Sequence, residues 1–274
     1  MIDELEDRTS KVETEPPPAA ALPASNFDFR YYVSYARSLL FTNNLIYLCT
    51  AVCGTFSLLG SILDSGGRWQ HWWARTWSRL VLKVSGIRVR VEGLEHIDPK
   101  QTVIFCSNHP SAMDIPILAA SLPMQFRFLA KRELFSLPFL GWHLRRSGHI
   151  PVDRARAHQA MKSFDGAAAK IRSGSPVVLF PEGSRSRTGE MLRFKAGSFY
   201  LAIRSGVPVV PITLNGTRYV HVPDTLHVRS GQTEMLIHEP IPTANLTTDD
   251  VQALSAQVRQ KISSGLAPVR RGKD

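Results

Sequence analysis

A chain of 274 residues with 43% hydrophobic content is long enough to bury one sizeable core, and its three scattered cysteines exclude a disulfide framework or a cysteine-based metal centre. The formal charge of +10 is uneven: residues 1–15 hold six acids against Arg8 and Lys11, so the remainder carries +14. A body this basic suits an anionic partner, whether a membrane surface, a phosphorylated substrate or nucleic acid.

Residues 1–26, acidic and then Pro/Ala-rich ("EPPPAAALPAS"), read as a disordered tail without the features of a secretory signal. From Ser38 to Leu63 no residue is charged, a length sufficient to cross a hydrocarbon core of about 30 Å. Asn43, Asn44, Gly54 and Gly60 interrupt the run, so a spanning helix and a bent, half-inserted hairpin both remain open; a buried helix of a soluble core is the bland alternative. In the next segment, "RWQHWWARTWSRLVLK" (68–83), helical spacing aligns Trp69, Trp72, Trp73, Trp77, Leu80 and Val84. Arg68, His71, Arg75, Arg79 and Lys83 fall on a neighbouring face. Tryptophan beside arginine fits the headgroup layer of a bilayer, so residues 27–85 are expected to be membrane-anchoring helices rather than ordinary core. If the apolar run spans, the basic excess after it places the following body on the cytoplasmic side.

After Gly86 short apolar runs alternate with helical patterns. The strands expected are 87–93, 102–108, 126–131, 148–153, 176–182, 208–214 and 233–239, with helices near 114–121, 132–145, 156–172, 196–205 and 249–263. This order predicts an α/β domain over 86–265, with a mixed, largely parallel sheet flanked by helices, followed by a basic tail at 266–274.

Function in such sheets gathers where strands end. After the run "TVIFC" comes "NHPSAMD" (108–114). Pro110 pushes His109 out of the α region, so His109 ends a strand while Asp114 opens a helix. At a second strand end, "FPEGSRS" (180–186) places Glu182, Gly183, Ser184 and Arg185 in a turn, where small residues let backbone amides face an anion and arginine grips phosphate. A third, "GHIPVDR" (148–154), ends in Arg154, and a fourth, "FLAKREL", carries Lys131. A histidine beside its own aspartate among cation-bearing strand ends reads as a general base acting near a phosphate.

Four blocks, "NHPSAMD", "GHIPVDR", "FPEGSRS" and "VPVVPI" (207–212), occur in order over about 105 residues, and in this the sequence resembles the glycerolipid acyltransferases, most closely the bacterial-type 1-acylglycerol-3-phosphate acyltransferases. The resemblance implies that His109 deprotonates an acceptor hydroxyl, that Asp114 orients the imidazole, and that the hydroxyl attacks an acyl thioester without an acyl-enzyme intermediate. It implies acceptor-binding roles for Asn108, Arg154, Glu182, Gly183, Ser184 and Arg185, with Lys131 a further phosphate contact, and it implies no cofactor and no metal. The donor would be acyl-CoA or acyl carrier protein, the acceptor lysophosphatidic acid and the product phosphatidic acid, made at the cytoplasmic side of the inner membrane. Pro151 departs from the family pattern and is expected to alter local strand pairing.

Three rival readings are weaker. A serine hydrolase would show a Gly-x-Ser-x-Gly elbow and a metal enzyme a His-Glu-x-x-His or Cys-x-x-Cys run, and neither occurs. A non-enzymatic nucleic-acid or membrane module would use the mixed aromatic and basic stretch, which the adjacent apolar run assigns to headgroups, so no nucleic acid is expected. Within the enzyme class, glycerol 3-phosphate, lyso-ornithine lipid or another lysophospholipid would serve the same base.

Overall fold

A computed structural model describes residues 29–62, 64, 66–152, 157–186 and 188–267, without the side chains of 157–163. The helical run Phe29–Gly60 is 32 residues long, with a mean hydropathy of 1.4 over its most apolar window, which makes it a candidate membrane span by length and composition. Within it, α1 (Phe29–Arg37) and α2 (Asn43–Gly60) are separated by a π-helical turn at Ser38–Thr42. From Ser34 on, the described residues belong to one compact unit, so α2 and α3 (Arg68–Ser85) pack within the same unit as the sheet.

Seven strands form one sheet in the order β1-β7-β6-β2-β5-β3-β4. They are β1 (Ile87–Glu92), β2 (Ile104–Ser107), β3 (Arg127–Lys131), β4 (Ile150–Val152), β5 (Val177–Leu179), β6 (Val209–Asn215) and β7 (Gly231–Ile237). All pairings are parallel except β6 with β7. Each expected strand is present, trimmed or shifted by a few residues at its ends. The altered pairing expected at Pro151 does not occur: it faces Ala130 in regular parallel register, because β4 is an edge strand and an edge tolerates the missing amide.

Alternation along the central strands divides the core in two. Phe105, Val178 and Val210 turn toward α3 and α4 (Asp114–Ser121), meeting Val81, Ile117 and Leu118. Ile104, Cys106, Val177, Leu179 and Val209 turn to the other face. There they meet Ile171 of α6 (Ala157–Arg172), Leu201 of α7 (Ala196–Ser205) and the Leu254, Val258, Ile262 stripe of α8 (Val251–Ser264). A buried parallel sheet covered on both faces is what continuous apolar runs without strict alternation of polarity encode.

The helix expected at 132–145 is instead a 3-10 turn, Arg132–Ser136, followed by a short α5 (Leu140–Arg146). Pro138 separates them, because the residue before a proline is excluded from the α region. The tryptophan stripe of α3 also divides. Trp69 and Trp72 are exposed, whereas Trp73 stacks on Phe56 of α2 at 5.2 Å and the Trp77 indole donates to Thr50 Oγ1 at 2.9 Å. Half of the expected interfacial face is therefore contact between helices. Gly60 makes this contact possible, since a Cβ there would lie 1.9 Å from the Trp69 ring.

Candidate active site

The connection after β2 leads away to β3 on one side, while the one after β5 crosses to β6 on the other. This opens a crevice at the C-terminal ends of adjacent strands. His109 follows β2, and Glu182 to Arg185 follow β5, so the topology brings the two loops together.

His109 lies in the loop after β2, where Pro110 disfavours a helical backbone, and Asp114 is the first residue of α4. The chain folds back so that His109 Nδ1 donates to Asp114 Oδ2 at 2.8 Å, and the Ser111 amide donates to the same oxygen at 2.8 Å. The Asp114 side chain is fully buried and that of His109 is 15% exposed. Burial pushes the Asp114 carboxyl up, opposed by the His109 imidazole, the Ser111 amide and the Thr217 hydroxyl. With Nδ1–H committed to the carboxylate, Nε2 is the ring nitrogen left to accept a proton, and His109 lines a cavity.

Neighbouring loops fix the ring. It stacks on Phe180 with centroids 3.8 Å apart and planes 14° from parallel. The His109 amide donates to Glu182 Oε1 at 2.8 Å, and its carbonyl accepts from the Ser186 amide at 3.2 Å. Glu182 Oε2 accepts from the Leu192 amide at 2.8 Å. Burial raises the Glu182 carboxyl, while the Leu192 and His109 amides pull it down. Asn108 is buried and bonded twice to Leu214 of β6, accepting from its amide at 2.8 Å and donating to its carbonyl at 3.0 Å. Asn108 and Glu182, expected to touch substrate, instead have their polar atoms occupied by backbone and hold the His109 loop between β5 and β6. Sequence cannot make this distinction, because a buried amide or carboxylate and a substrate-facing one look alike.

The other expected residues do line the cavity: Lys131, Gly183, Ser184 and Arg185. Gly183 has φ +76 and its amide closes a turn onto the Phe180 carbonyl at 3.1 Å, a left-handed conformation that favours glycine. The Arg185 guanidinium lies 3.6 Å from Asp224, and Lys131 lies 3.4 Å from Glu133. Arg154 lies outside the described residues. Phe180, Asp224 and Phe128 also face the cavity and were not singled out from sequence. Phe180 and Phe128 sit inside the quoted stretches "FPEGSRS" and "FLAKREL", whereas Asp224 gives no signal before the topology is known.

The cavity has a volume of about 1380 Å³. It extends from His109 and Arg185 past Phe128 of β3 to Trp73 and Trp77 of α3 and Leu58 of α2. Cation, hydroxyl and imidazole at the strand ends, continuous with a large apolar volume, fit an amphiphile with an anionic head and a long chain.

Comparison with known proteins agrees. The Acyltransferase family model matches residues 88–215. The chain is 36% identical over 178 residues to human 1-acyl-sn-glycerol-3-phosphate acyltransferase alpha, covering 65% of this chain and 63% of that protein. It is 31% identical over 245 residues to the 1-acyl-sn-glycerol-3-phosphate acyltransferase of Saccharomyces cerevisiae, covering 87% of this chain and 79% of that one. The crystal structure of the 1-acyl-sn-glycerophosphate (LPA) acyltransferase PlsC from Thermotoga maritima superposes with a TM-score of 0.73 at 26% identity, over 85% of this chain and 95% of that one. The chain therefore belongs to the acyltransferase family, alongside the 1-acyl-sn-glycerol-3-phosphate acyltransferases of human and yeast.

Proposed function

We propose that this protein transfers a fatty acyl group from an acyl thioester to the sn-2 hydroxyl of 1-acyl-sn-glycerol 3-phosphate, giving phosphatidic acid. The observation that carries the reading is the buried His109–Asp114 pair opening into a long apolar cavity beside Arg185. His109 Nε2 takes the proton of the acceptor hydroxyl as its oxygen attacks the thioester carbonyl. The buried carboxylate of Asp114 stabilises the imidazolium that forms. Collapse of the tetrahedral intermediate breaks the carbon–sulfur bond, and the leaving thiolate takes the proton back from Nε2. Arg185, with Arg154 and Lys131, holds the acceptor phosphate, and this fixed placement of the hydroxyl lowers the barrier through lost translational freedom. Gly183 and Ser184 shape the wall beside it.

The donor is acyl-CoA or acyl carrier protein, both acidic and both attracted by the basic body. The exposed apolar side chains of α2 support attachment to a bilayer, and the basic residues of α3 support a cytoplasmic placement of the catalytic unit at the inner membrane. The acceptor assignment is tested with Arg185→Ala. Loss of a charge-assisted phosphate contact raises KM for lysophosphatidic acid by roughly 10- to 100-fold, while monoacylglycerol, which lacks the phosphate, is turned over as poorly as by the parent. An unchanged KM for lysophosphatidic acid contradicts the phosphate site.

A further inference from the structure

The segment joining β3 to β4 carries a run of exposed apolar side chains. Within nine residues Leu134, Leu137, Phe139, Leu140 and Trp142 are all exposed, Phe139 at 76% and Trp142 at 49%. Phe139 has φ +58 and ψ −57, and the Leu140 amide donates to the Pro138 carbonyl at 2.6 Å, a tight γ-type turn that is strained for a bulky residue. The ring is thus held outward by a built turn. The Gly141 amide donates to Leu137 O at 2.8 Å, the His143 amide donates to Phe139 O at 2.9 Å, and the Arg145 guanidinium donates to the Phe135 carbonyl.

Two further observations say what covers this surface. Lys131, Arg132, Arg145 and Arg146 flank it and are exposed, placing cations beside an aromatic and aliphatic cluster as at a lipid headgroup layer. The segment is also continuous with the apolar face of α2: His143 of α5 shares a hydrogen bond with Ser57 of α2 at 3.2 Å, and both helices wall the same cavity. Leu134, Phe139 and Leu140 are at once exposed and cavity-lining, so this segment is the rim where the cavity wall meets the outside.

We infer that Leu134–Trp142 is a second bilayer-contacting element, which inserts Leu137, Phe139 and Trp142 among the acyl chains of an anionic membrane. A lipid-borne acceptor then slides into the cavity along this rim without its chain crossing water. The inference rests on the acyltransferase reading for the identity of that lipid, but insertion itself does not.

The full chain carrying Cys49→Ala and Phe139→Cys, labelled at position 139 with an environment-sensitive fluorophore, is bound to phosphatidylcholine/phosphatidylglycerol vesicles with brominated acyl chains. Insertion quenches the label at least about twofold relative to unbrominated vesicles. Unquenched emission overturns the inference.

The second arm uses Leu137→Ser/Trp142→Ser, neither of which lines the cavity. Its rate on vesicle-borne long-chain lysophosphatidic acid falls roughly tenfold or more, while its rate with short-chain, water-soluble acceptor and donor stays within about twofold of the parent. No loss on vesicles, or equal loss with both acceptors, overturns the inference. So does a loss confined to acyl carrier protein as donor, which would make the patch a protein-docking surface. A parent protein inactive on every acceptor would instead refute the acyltransferase reading, and the quenching arm would still decide insertion.

Discussion

A carboxylate as completely buried as Asp114 stays useful only through what it accepts, and its Oδ2 accepts from both the His109 ring and the Ser111 amide. Asp114→Asn keeps the shape, but its amide no longer favours the Nδ1–H tautomer or supports an imidazolium. The expected outcome is a fall in kcat of about two orders of magnitude or more with an unchanged thermal midpoint; activity within threefold of the parent would remove Asp114 from the mechanism. Glu182 works differently, since its two oxygens accept the His109 and Leu192 amides. Glu182→Ala orphans two amides and should lower stability by roughly 1–3 kcal/mol in denaturant titrations, together with activity. If stability holds and only the KM for lysophosphatidic acid rises, Glu182 contacts substrate after all. His149 supplies a pH test. Burial, then His143, Arg127 and His71, hold its folded pKa at about 3, and its Nδ1 accepts the Phe128 amide at 2.9 Å. Because the unfolded chain binds this proton near pH 6.5 and the fold does not, stability is full above that value. It is lost as pH falls toward 3, at no more than about 1.4 kcal/mol per unit for one proton. Thermal midpoints at pH 7 and pH 5 should differ less in His149→Asn than in the parent; an equal difference assigns the acid loss to other groups.

At the scale of elements, the α2–α3 contact depends on the bare backbone at Gly60, against which Trp69 lies while its indole donates to the Phe56 carbonyl at 2.9 Å. Gly60→Leu must displace the ring and part the helices, an overpacking defect of typically about 1–3 kcal/mol. A lowered midpoint with a changed near-ultraviolet circular dichroism signal is expected; an unaltered signal would show that Trp69 does not need this approach. The strands were legible because runs such as "PVVLF" and "TVIFC" are short, apolar and bounded by turn residues, and the start of α4 was legible from Pro110 and Asp114. Pairing order, the antiparallel β7 and the inward turn of Trp73 and Trp77 were not, because each depends on contacts between distant segments. The same holds within the site. The His109–Asp114 pair is local and visible in "NHPSAMD", whereas the supporting roles of Asn108 and Glu182 arise only when β6 and β5 close around it.

On the scale of the whole molecule, an apolar helical run, an exposed aromatic rim and a cavity walled by both fit the bilayer attachment proposed above. Attachment through apolar insertion resists salt, while attachment through the basic body alone is screened. Flotation with anionic vesicles should therefore persist at 1 M salt, roughly ten times the ionic strength at which surface charges are already screened beyond about 10 Å; release into the soluble fraction would reduce the association to electrostatics. The most direct test of the account is acyl transfer by the purified, detergent-solubilised protein from acyl-CoA or acyl carrier protein to 1-acylglycerol 3-phosphate, beside His109→Ala. The parent should give phosphatidic acid and the variant a rate lower by at least about 100-fold, with the same thermal midpoint. Comparable product from both proteins would contradict His109 as the base, and no product from the parent with either donor would contradict the reaction itself.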